Sequence, residues 1–279
     1  MGQMPPPPVG VVTVAPTSVP IEIELSGRLE PIRTAQVRAR VTGVVQKRLF
    51  AEGATVQAGQ SLYRIDPAPY KAALDSAQAA QAKAEATLSQ AQSTLDRTRL
   101  LAELKAISPL AWDNTQATHR AAQADVAAAK AAVQQARLNL EYASVLAPIS
   151  GRIGRSLVTE GALVSQAEAT QLATIQQVDT LVANFTQSAS EAMRIQRAIA
   201  SGELKGSNSA QVKVLLDDGS VYALPGRLMF ADIAVDPGTG QVTLRAEVPN
   251  PKGELLPGLF IKVRLQVARS EQAMVLPQQ

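Results

Sequence analysis

The sequence predicts an elongated α+β chain of several modules, in which a long antiparallel helical hairpin is inserted between the two halves of a β module. Three observations support this fold class. A glycine-free, alanine-rich stretch that begins at Pro67 carries two matched heptad patterns. The β-rich segments on either side of this stretch resemble each other. Beyond them, as far as Leu276, apolar and polar residues alternate between turn signals, which is typical of antiparallel strands.

Composition narrows the range of functions. The chain has 279 residues, 46% of them hydrophobic, with a net charge of +3, so it is long and apolar enough for several folded modules. Aromatic residues make up only 3%, and basic residues are scattered among acidic ones, so nucleic-acid binding is not expected. The absence of cysteine excludes thiol catalysis and disulfides. No apolar run approaches the roughly 20 residues that span a bilayer.

The first elements are extended. Pro5 to Pro8 favour a polyproline conformation, so residues 1–10 are predicted to be a flexible tether. From Val11 to Ile65 the chain is rich in Val, Ile and Thr, and we expect short strands separated at glycines. These glycines are Gly27, Gly43, Gly53 and Gly59.

Two helices follow, each of about 35 residues, or roughly 50 Å at about 1.5 Å per residue. The connection between them is short, so they are predicted to form an antiparallel hairpin. Alanine at half of the seam allows close approach but leaves little apolar area to bury. The predicted seam residues are Leu74, Ala77, Gln81, Ala84, Leu88, Ala91, Leu95, Thr98 and Ala102 in the first helix, and Trp112, Thr115, His119, Ala122, Val126, Ala129, Val133, Ala136, Leu140 and Ala143 in the second.

After Ala147 the sequence predicts antiparallel strands joined by tight turns. The turn signals are Asp218-Gly219, DPGTG at 236–240 and NPKG at 250–253. A serine start, spaced apolar residues and Gly202 near the end predict one short helix from Ser190.

An internal repeat is split by the hairpin. The first copy, TGVVQKRLFAEGATVQAGQSLYRI, has the same spacing from its first glycine to a Glu-Gly pair as the second copy, SGRIGRSLVTEGALVSQAEATQLATI. These positions are Gly43, Glu52 and Gly53 in the first copy, and Gly151, Glu160 and Gly161 in the second. The two flanking segments are therefore expected to be the two halves of one β module.

A family resemblance emerges at this repeat. EGATVQAGQSLYRI resembles one half of a lipoyl or biotinyl carrier domain, in which a short hairpin with a modified lysine links two four-stranded halves. A helical rod at that point resembles the periplasmic adaptors, or membrane fusion proteins, of tripartite efflux pumps. LSGRLEPIRTAQVRARVTGVVQKRLFAEG, LYRIDPAPYKAAL, LAPISGRIGRSLVTEGALV and VTLRAEVPNPKGELLPGLF are further matches. Together they identify the chain as similar to the adaptors of resistance-nodulation-division (RND) transporters, of the AcrA/MexA type.

The resemblance implies a division of the chain into domains. In chain order these are the Pro-rich tether (1–10), strands that join the β-barrel and membrane-proximal region (11–35), the first half of a lipoyl-like β-sandwich (36–66), the α-helical coiled-coil hairpin with its tip near 101–108 (67–145), the second half of the sandwich (146–178), an antiparallel β-barrel domain (179–268) and the start of a truncated membrane-proximal β domain (269–279). Family members usually begin with a lipidated cysteine and continue well past the equivalent of VLPQQ.

The resemblance also implies a function. The protein is expected to be a non-enzymatic adaptor that links a proton-driven drug transporter of the inner membrane to an outer-membrane channel. Six copies would form a sealed conduit for multidrug export. The expected location is the periplasm, with an inner-membrane anchor in the natural protein, through a lipidated N-terminal cysteine that this chain lacks.

The candidate site is the hairpin tip. Without the family, Ser108 and Pro109 are an N-cap and a first helical residue, Leu101 covers the end of the seam, and Arg97 is a solvated charge. The family, however, docks its hairpin on the outer-membrane channel through an Arg, three residues, Leu, six residues and Ser, and Arg97, Leu101 and Ser108 match this motif. Arg97 could bind carbonyls or carboxylates, Leu101 could fill an apolar pocket, and Ser108 could donate a hydrogen bond.

Catalytic, cofactor and metal sites are not expected. His119 is the single histidine and lies on the seam, DPGTGQ is better explained as a hairpin turn than as a phosphate loop, and Asp217 with Asp218 provides too few ligands for Ca²⁺ or Mg²⁺. Two alternatives remain open. A carrier domain would require a modified lysine between the half-motifs, where Lys71 is nearest. A coiled-coil scaffold or type I secretion adaptor would not require Leu101 for drug resistance.

Overall fold

The computed structural model describes residues 17–201, 205–206, 211–216 and 218–274. The predicted tether (1–10), Asp217 and residues 275–279 of the predicted last domain lie outside these ranges. The chain divides into two compact units, one formed by Met1–Arg33 with Gln177–Gln279 and the other by Thr34–Gln176.

Along the chain, one long helical hairpin is preceded and followed by β-strands. The elements are β1 (Thr17–Arg38), β2 (Gly43–Arg48), β3 (Thr55–Val56), β4 (Ser61–Ile65), α1 (Ala68–Glu103), α2 (Pro109–Tyr142), β5 (Ser144–Leu146), β6 (Gly151–Ile153), β7 (Leu163–Val164), β8 (Gln171–Ser188), α3 (Ala189–Ala200), β9 (Lys205–Gly206), β10 (Gln211–Leu215), β11 (Gly226–Val235), β12 (Gln241–Pro249) and β13 (Phe260–Ala273). In the part of the chain that is described, no helix is both long enough and apolar enough to cross a bilayer.

The hairpin consists of α1, with 36 residues, and α2, with 34. Every residue that the heptads place on the seam is buried or half-buried, which confirms the predicted pairing. Within the two helices, all of whose residues are described, only Ala91, Ala122 and Val126 are fully buried. Because these side chains are small, the hairpin buries little apolar area for its length.

The hairpin arises from a β-sandwich within Thr34–Gln176. One layer is the antiparallel sheet β5-β4-β2-β7, and in the other β6 pairs with β3 and with the start of β8. Tyr63 lies fully buried in the core. Its hydroxyl donates to the carbonyl of Leu172 at 2.9 Å and lies 2.7 Å from the Ser156 hydroxyl oxygen. Burial raises the pKa of Tyr63 above its ordinary value.

The split repeat forms a reciprocal set of hydrogen bonds in this sandwich. A carboxylate oxygen of Glu52 accepts from the backbone N–H of Ser156 at 3.0 Å, and one of Glu160 accepts from the N–H of Arg48 at 2.8 Å. The two glycines behave in the same way, since Gly53 N–H donates to Ile153 and Gly161 N–H donates to Val45. Each Glu-Gly pair therefore binds the opposite half of the domain.

The other unit contains a β-barrel with strand order β1-β13-β10-β11-β12-β8 and a further pairing between β1 and β8. The sequence suggested that Gly27 separates two strands, and this is wrong because β1 continues through it from Thr17 to Arg38. A Cβ at Gly27 would overlap the carbonyl oxygen of Asn184 on β8. Gly27 is needed for close approach between strands rather than for a turn.

The predicted turns of this unit are confirmed. Gly219, Gly240 and Gly253 have φ angles of 82°, 66° and 68°, in the region that favours glycine. Asp236 accepts hydrogen bonds from the backbone N–H and hydroxyl of Thr239 and from the N–H of Gly238, and these bonds lower its pKa. The short helix predicted from Ser190 is α3.

Candidate functional site

The hairpin tip is a five-residue connection between Glu103 and Pro109. Ala106 N–H donates to the carbonyl of Leu101 at 2.9 Å, and Lys105 N–H donates to that of Ala102 at 2.9 Å. Lys105 itself has a φ of 53°, in the left-handed region that ends many helices. These bonds satisfy carbonyls at the end of α1 and reverse the chain direction sharply.

Ser108 is the N-cap of α2, as the sequence predicts. Its backbone is extended, and its hydroxyl oxygen accepts from the N–H of Ala111 at 3.2 Å, with Pro109 in the first helical position. The hydroxyl hydrogen of Ser108 makes no hydrogen bond to any described residue. Ser108 can therefore cap the helix and donate to a partner at the same time.

Arg97 and Leu101 lie one helical turn apart on the same face of α1. The Arg97 guanidinium has only a long contact of 3.5 Å to the Thr94 hydroxyl, and no described carboxylate lies within ion-pair distance of it. Leu101 is 45% exposed. The last seam residue of α1 is Ala102, one position beyond Leu101, and half-buried Ile107 lies in the turn.

The structure adds three leucines that the sequence reasoning missed. Leu100, Leu104 and Leu110 are 58%, 77% and 70% exposed. Together with Leu101 they form what we call the leucine cap, with members on α1, in the turn and on α2. A signal for these residues was present in the sequence, since leucines that lie off a heptad seam have no place in the interface between the two helices.

Charge at the tip is mainly positive and only partly paired. Arg99 contacts the carboxylate of Glu103 at 4.0 Å, whereas Arg97 and Lys105 have no ion pair with a described residue. Such an exposed pair contributes little to stability. The tip thus offers an apolar surface bordered by free cations, which is suited to a partner with apolar side chains and exposed carbonyl or carboxylate oxygens.

The residues considered for chemistry lie elsewhere. His119 is half-buried on the seam, and its Nε2 has no hydrogen-bond partner among the described residues. Lys71 is exposed in the first turn of α1, not at the tip of a short hairpin. The described residues contain no group of three or more acidic, His or Cys side chains that could hold a metal ion.

A helical hairpin set into a β-sandwich and followed along the chain by a β-barrel is the architecture of an adaptor. Comparison with known proteins gives the family. Residues 33–176 match the barrel-sandwich hybrid domain of RND membrane fusion proteins, and residues 180–269 match their β-barrel domain. The chain therefore belongs to the RND membrane fusion protein family, as a periplasmic adaptor of the efflux-pump type.

Individual relatives agree with this assignment. The chain is 46% identical to the multidrug resistance protein MexA of Pseudomonas aeruginosa over 275 residues, which cover 98% of this chain and 68% of MexA. It is 45% identical to SrpA, a solvent efflux pump periplasmic linker of Pseudomonas putida, over 99% of this chain and 69% of SrpA.

A solved structure supports the fold. The chimera of MacA that carries the MexA α-hairpin matches with a TM-score of 0.66 at 24% identity, over 95% of this chain and 88% of the chimera. The predicted fold class and the prediction of a non-enzymatic efflux adaptor are confirmed.

Proposed function

We propose that this adaptor links an RND drug transporter of the inner membrane to an outer-membrane channel, and that the hairpin tip docks on the channel. The observation that carries the docking assignment is the leucine cap. Four leucines that are 45% to 77% exposed surround one turn. In the free protein their apolar side chains are in contact with water, which is energetically unfavourable. Full burial of one such side chain contributes about 1.5–3 kcal/mol, so a partner that covers the cap would gain substantially.

The specificity of this contact would come from Arg97, Leu101 and Ser108. The unpaired guanidinium of Arg97 can bind backbone carbonyls or a carboxylate of a helical turn in the channel, and the Ser108 hydroxyl can donate across the interface. The contact area of one tip is small, so a single tip would bind weakly. Six copies in a ring would bind firmly through multivalency, which is why we include a hexamer in the proposal.

The proposed function also defines where the protein lies and how it is oriented. The adaptor lies in the periplasm, and we propose that the natural protein is anchored to the inner membrane by a lipidated N-terminal cysteine. The β-barrel end would then face the transporter and the hairpin tip would face the channel. Drugs or solvents would pass through the conduit without chemical change.

Drug susceptibility tests the proposal directly. In a strain that lacks the gene, the wild-type protein should restore drug resistance, whereas the Leu101→Asp variant should not. The substitution would place a charge in the interface with the channel, where the proposal has an apolar contact. Leu157→Asp is a matched control, since Leu157 is also 45% exposed but lies in the sandwich. Full resistance with Leu101→Asp at normal protein levels would exclude the docking role and favour a scaffold or secretion adaptor.

Crosslinking identifies the partner. A photoreactive residue at position 97 or 104 should form crosslinks to an outer-membrane channel in cells, and a residue at position 86, exposed in the middle of α1, should not. Crosslinks from the tip that reach only soluble periplasmic proteins would contradict the docking assignment while leaving the family assignment intact.

A further inference from the structure

A second site lies at the base of the hairpin, far along the rod from the tip. A groove of about 450 Å³ runs between the end of β1 and the strand β5, lined by residues 36–38, 40, 141, 142 and 144–148. All of these residues belong to the unit Thr34–Gln176. The volume falls in the range of roughly 300–1,000 Å³ that is typical of small-molecule sites. We call this the basal groove.

Two arginines line this groove near the end of β1. Val37 and Ala39 are buried in the sandwich core, whereas Arg38, the last residue of β1, and Arg40, which follows the strand, are exposed. Across the groove, Val145 is buried while Leu146 is 51% exposed. The groove is therefore lined by two cationic side chains near the end of β1 and by mainly apolar residues, with Glu141 and Ser144 among them, around β5.

No carboxylate among the described residues pairs with either of these guanidinium groups. Arg38 donates to the side-chain oxygen of Gln36 and, at 2.9 Å, to the carbonyl of Ala169, and it pairs with no described carboxylate. Arg40 lies with its guanidinium carbon 3.6 Å from the centre of the Tyr142 ring and makes no hydrogen bond to a described residue. The carboxylate of the lining, Glu141, contacts Arg137 at 3.5 Å.

We propose that the basal groove binds a small amphiphilic aromatic anion, whose carboxylate or sulfonate is held by Arg38 and Arg40. Guanidinium groups keep their charge at every physiological pH, and the N–H groups of Arg40 that no described residue accepts can bind an anion, so the charged end of the ligand must be negative. The contact between Arg40 and the Tyr142 ring lies in the same groove as Leu146 and Pro148, and these side chains offer a surface for an aromatic ring. Two cations are too few to favour a polyanion.

The test uses 1-naphthalenesulfonate as the probe and the full 279-residue chain, with isothermal titration calorimetry as the measurement. We expect saturable binding at one site per chain. The Arg38→Gln, Arg40→Gln double variant should lose about tenfold or more in affinity, because two charge-assisted contacts are removed. The matched control is Arg99→Gln with Arg155→Gln, which removes two exposed charges outside the groove.

Two further measurements separate charge from folding and from ring contacts. Circular dichroism must show that the double variant keeps the wild-type fold, and Arg38→Lys with Arg40→Lys, which retains both charges, should recover part of the affinity. 1-Naphthylmethylammonium, with the same ring and opposite charge, should bind about tenfold or more weakly than the sulfonate.

Several outcomes would overturn the proposal. Equal affinity for the two probes would show that charge does not select the ligand, and wild-type affinity in the double glutamine variant would place the site elsewhere. Sedimentation provides the remaining arm. If the wild-type chain self-associates, the double glutamine variant does not, and neither binds naphthalenesulfonate, then the arginines contact an acidic segment of a second copy instead of a small molecule.

Discussion

The helical hairpin and the β-sandwich from which it arises belong to one compact unit but are stabilised differently. The hairpin packs small residues along a single seam, and only Ala91, Ala122 and Val126 are fully buried in its two long helices. The sandwich buries whole Leu, Ile and Tyr side chains in a short stretch of sequence and adds hydrogen bonds exchanged between its halves. Apolar burial per residue is therefore far smaller in the hairpin.

This difference teaches where function can be placed. A rod with a thin seam places its tip far from the sandwich that holds it, and this tip can carry exposed leucines because those residues contribute little to the seam. The dense sandwich keeps the base of the rod fixed. Arg38, an exposed residue of the groove, ends a strand that cannot shift its register by one residue without exposing Val37.

The largest expected effect lies in the sandwich core. Tyr63→Ala should destabilise this unit by about 3–5 kcal/mol, because it leaves a large cavity and removes the hydrogen bond to the Leu172 carbonyl. Hydrogen exchange followed by mass spectrometry over residues 43–65 and 151–176 measures the change. Arg64→Ala, at the exposed neighbouring position, is the control. If both variants exchange alike, the sandwich does not depend on its core as described.

A substitution that enlarges a side chain on the helical seam should destabilise the protein less than the loss of the Tyr63 side chain. Ala122→Leu adds bulk at a buried position of the seam, and overpacking of this kind costs about 1–3 kcal/mol. Thermal unfolding followed by helical circular dichroism provides the measurement, and Ala86→Leu, on the exposed side of α1, should change little. Equal melting of the two variants would mean that the seam is looser than the buried alanines indicate.

The reciprocal hydrogen bonds predict two effects of similar size. Glu52→Ala and Glu160→Ala each remove the acceptor for a backbone N–H of the opposite half, at a cost of about 0.5–1.5 kcal/mol. Glu52→Ala should be the more costly, because Glu52 also accepts from the Arg48 side chain at 2.6 Å. Chemical denaturation with Glu168→Ala as the control tests this order. A loss confined to one glutamate would show that the two halves are not held equivalently.

The smallest expected effect concerns pH and a turn of the barrel unit. Hydrogen bonds from Thr239 and Gly238 lower the pKa of Asp236 in the folded protein. Asp236 therefore contributes stability above its unfolded pKa of about 3.9, and this contribution is lost as the pH falls through the lower folded value. Unfolding midpoints measured across this range should fall less steeply for Asp236→Asn than for the wild type. Equal slopes for Asp236→Asn and the wild type would contradict this prediction.

Much of the fold could be predicted from the sequence, because the heptads and the split repeat are long patterns whose period fixes the structure. The role of Gly27 could not, since a close approach between strands distant in sequence leaves no local signal. The partners of Glu52 and Glu160 were equally hidden, because the repeat shows that two positions are equivalent and not what each one binds.

At the tip, the prediction was accurate for Ser108, whose cap is a local interaction. The docking roles of Arg97, Leu101 and Ser108 remain predictions, supported by an unpaired guanidinium and an exposed leucine. Three members of the leucine cap were missed because only the leucine that matches the family motif, Leu101, was considered. The basal groove was not predicted, because its lining residues near β1 and β5 are separated in the sequence by the entire hairpin.

The exchange of hydrogen bonds between the two halves of the sandwich also bears on how quickly the chain folds. Neither half can complete its hydrogen bonds alone, and the partners lie on opposite sides of the hairpin in the sequence. Closing so long a loop has an entropic cost, whereas two helices joined by a tight turn form from local contacts. At the base of the hairpin, Ile65 N–H donates to the carbonyl of Ala143 at 2.8 Å. Pairing of the two helices therefore brings the two halves of the sandwich close together. The rod that reaches outward to a partner is thus also expected to act inward, as the guide that brings the two ends of its own domain together.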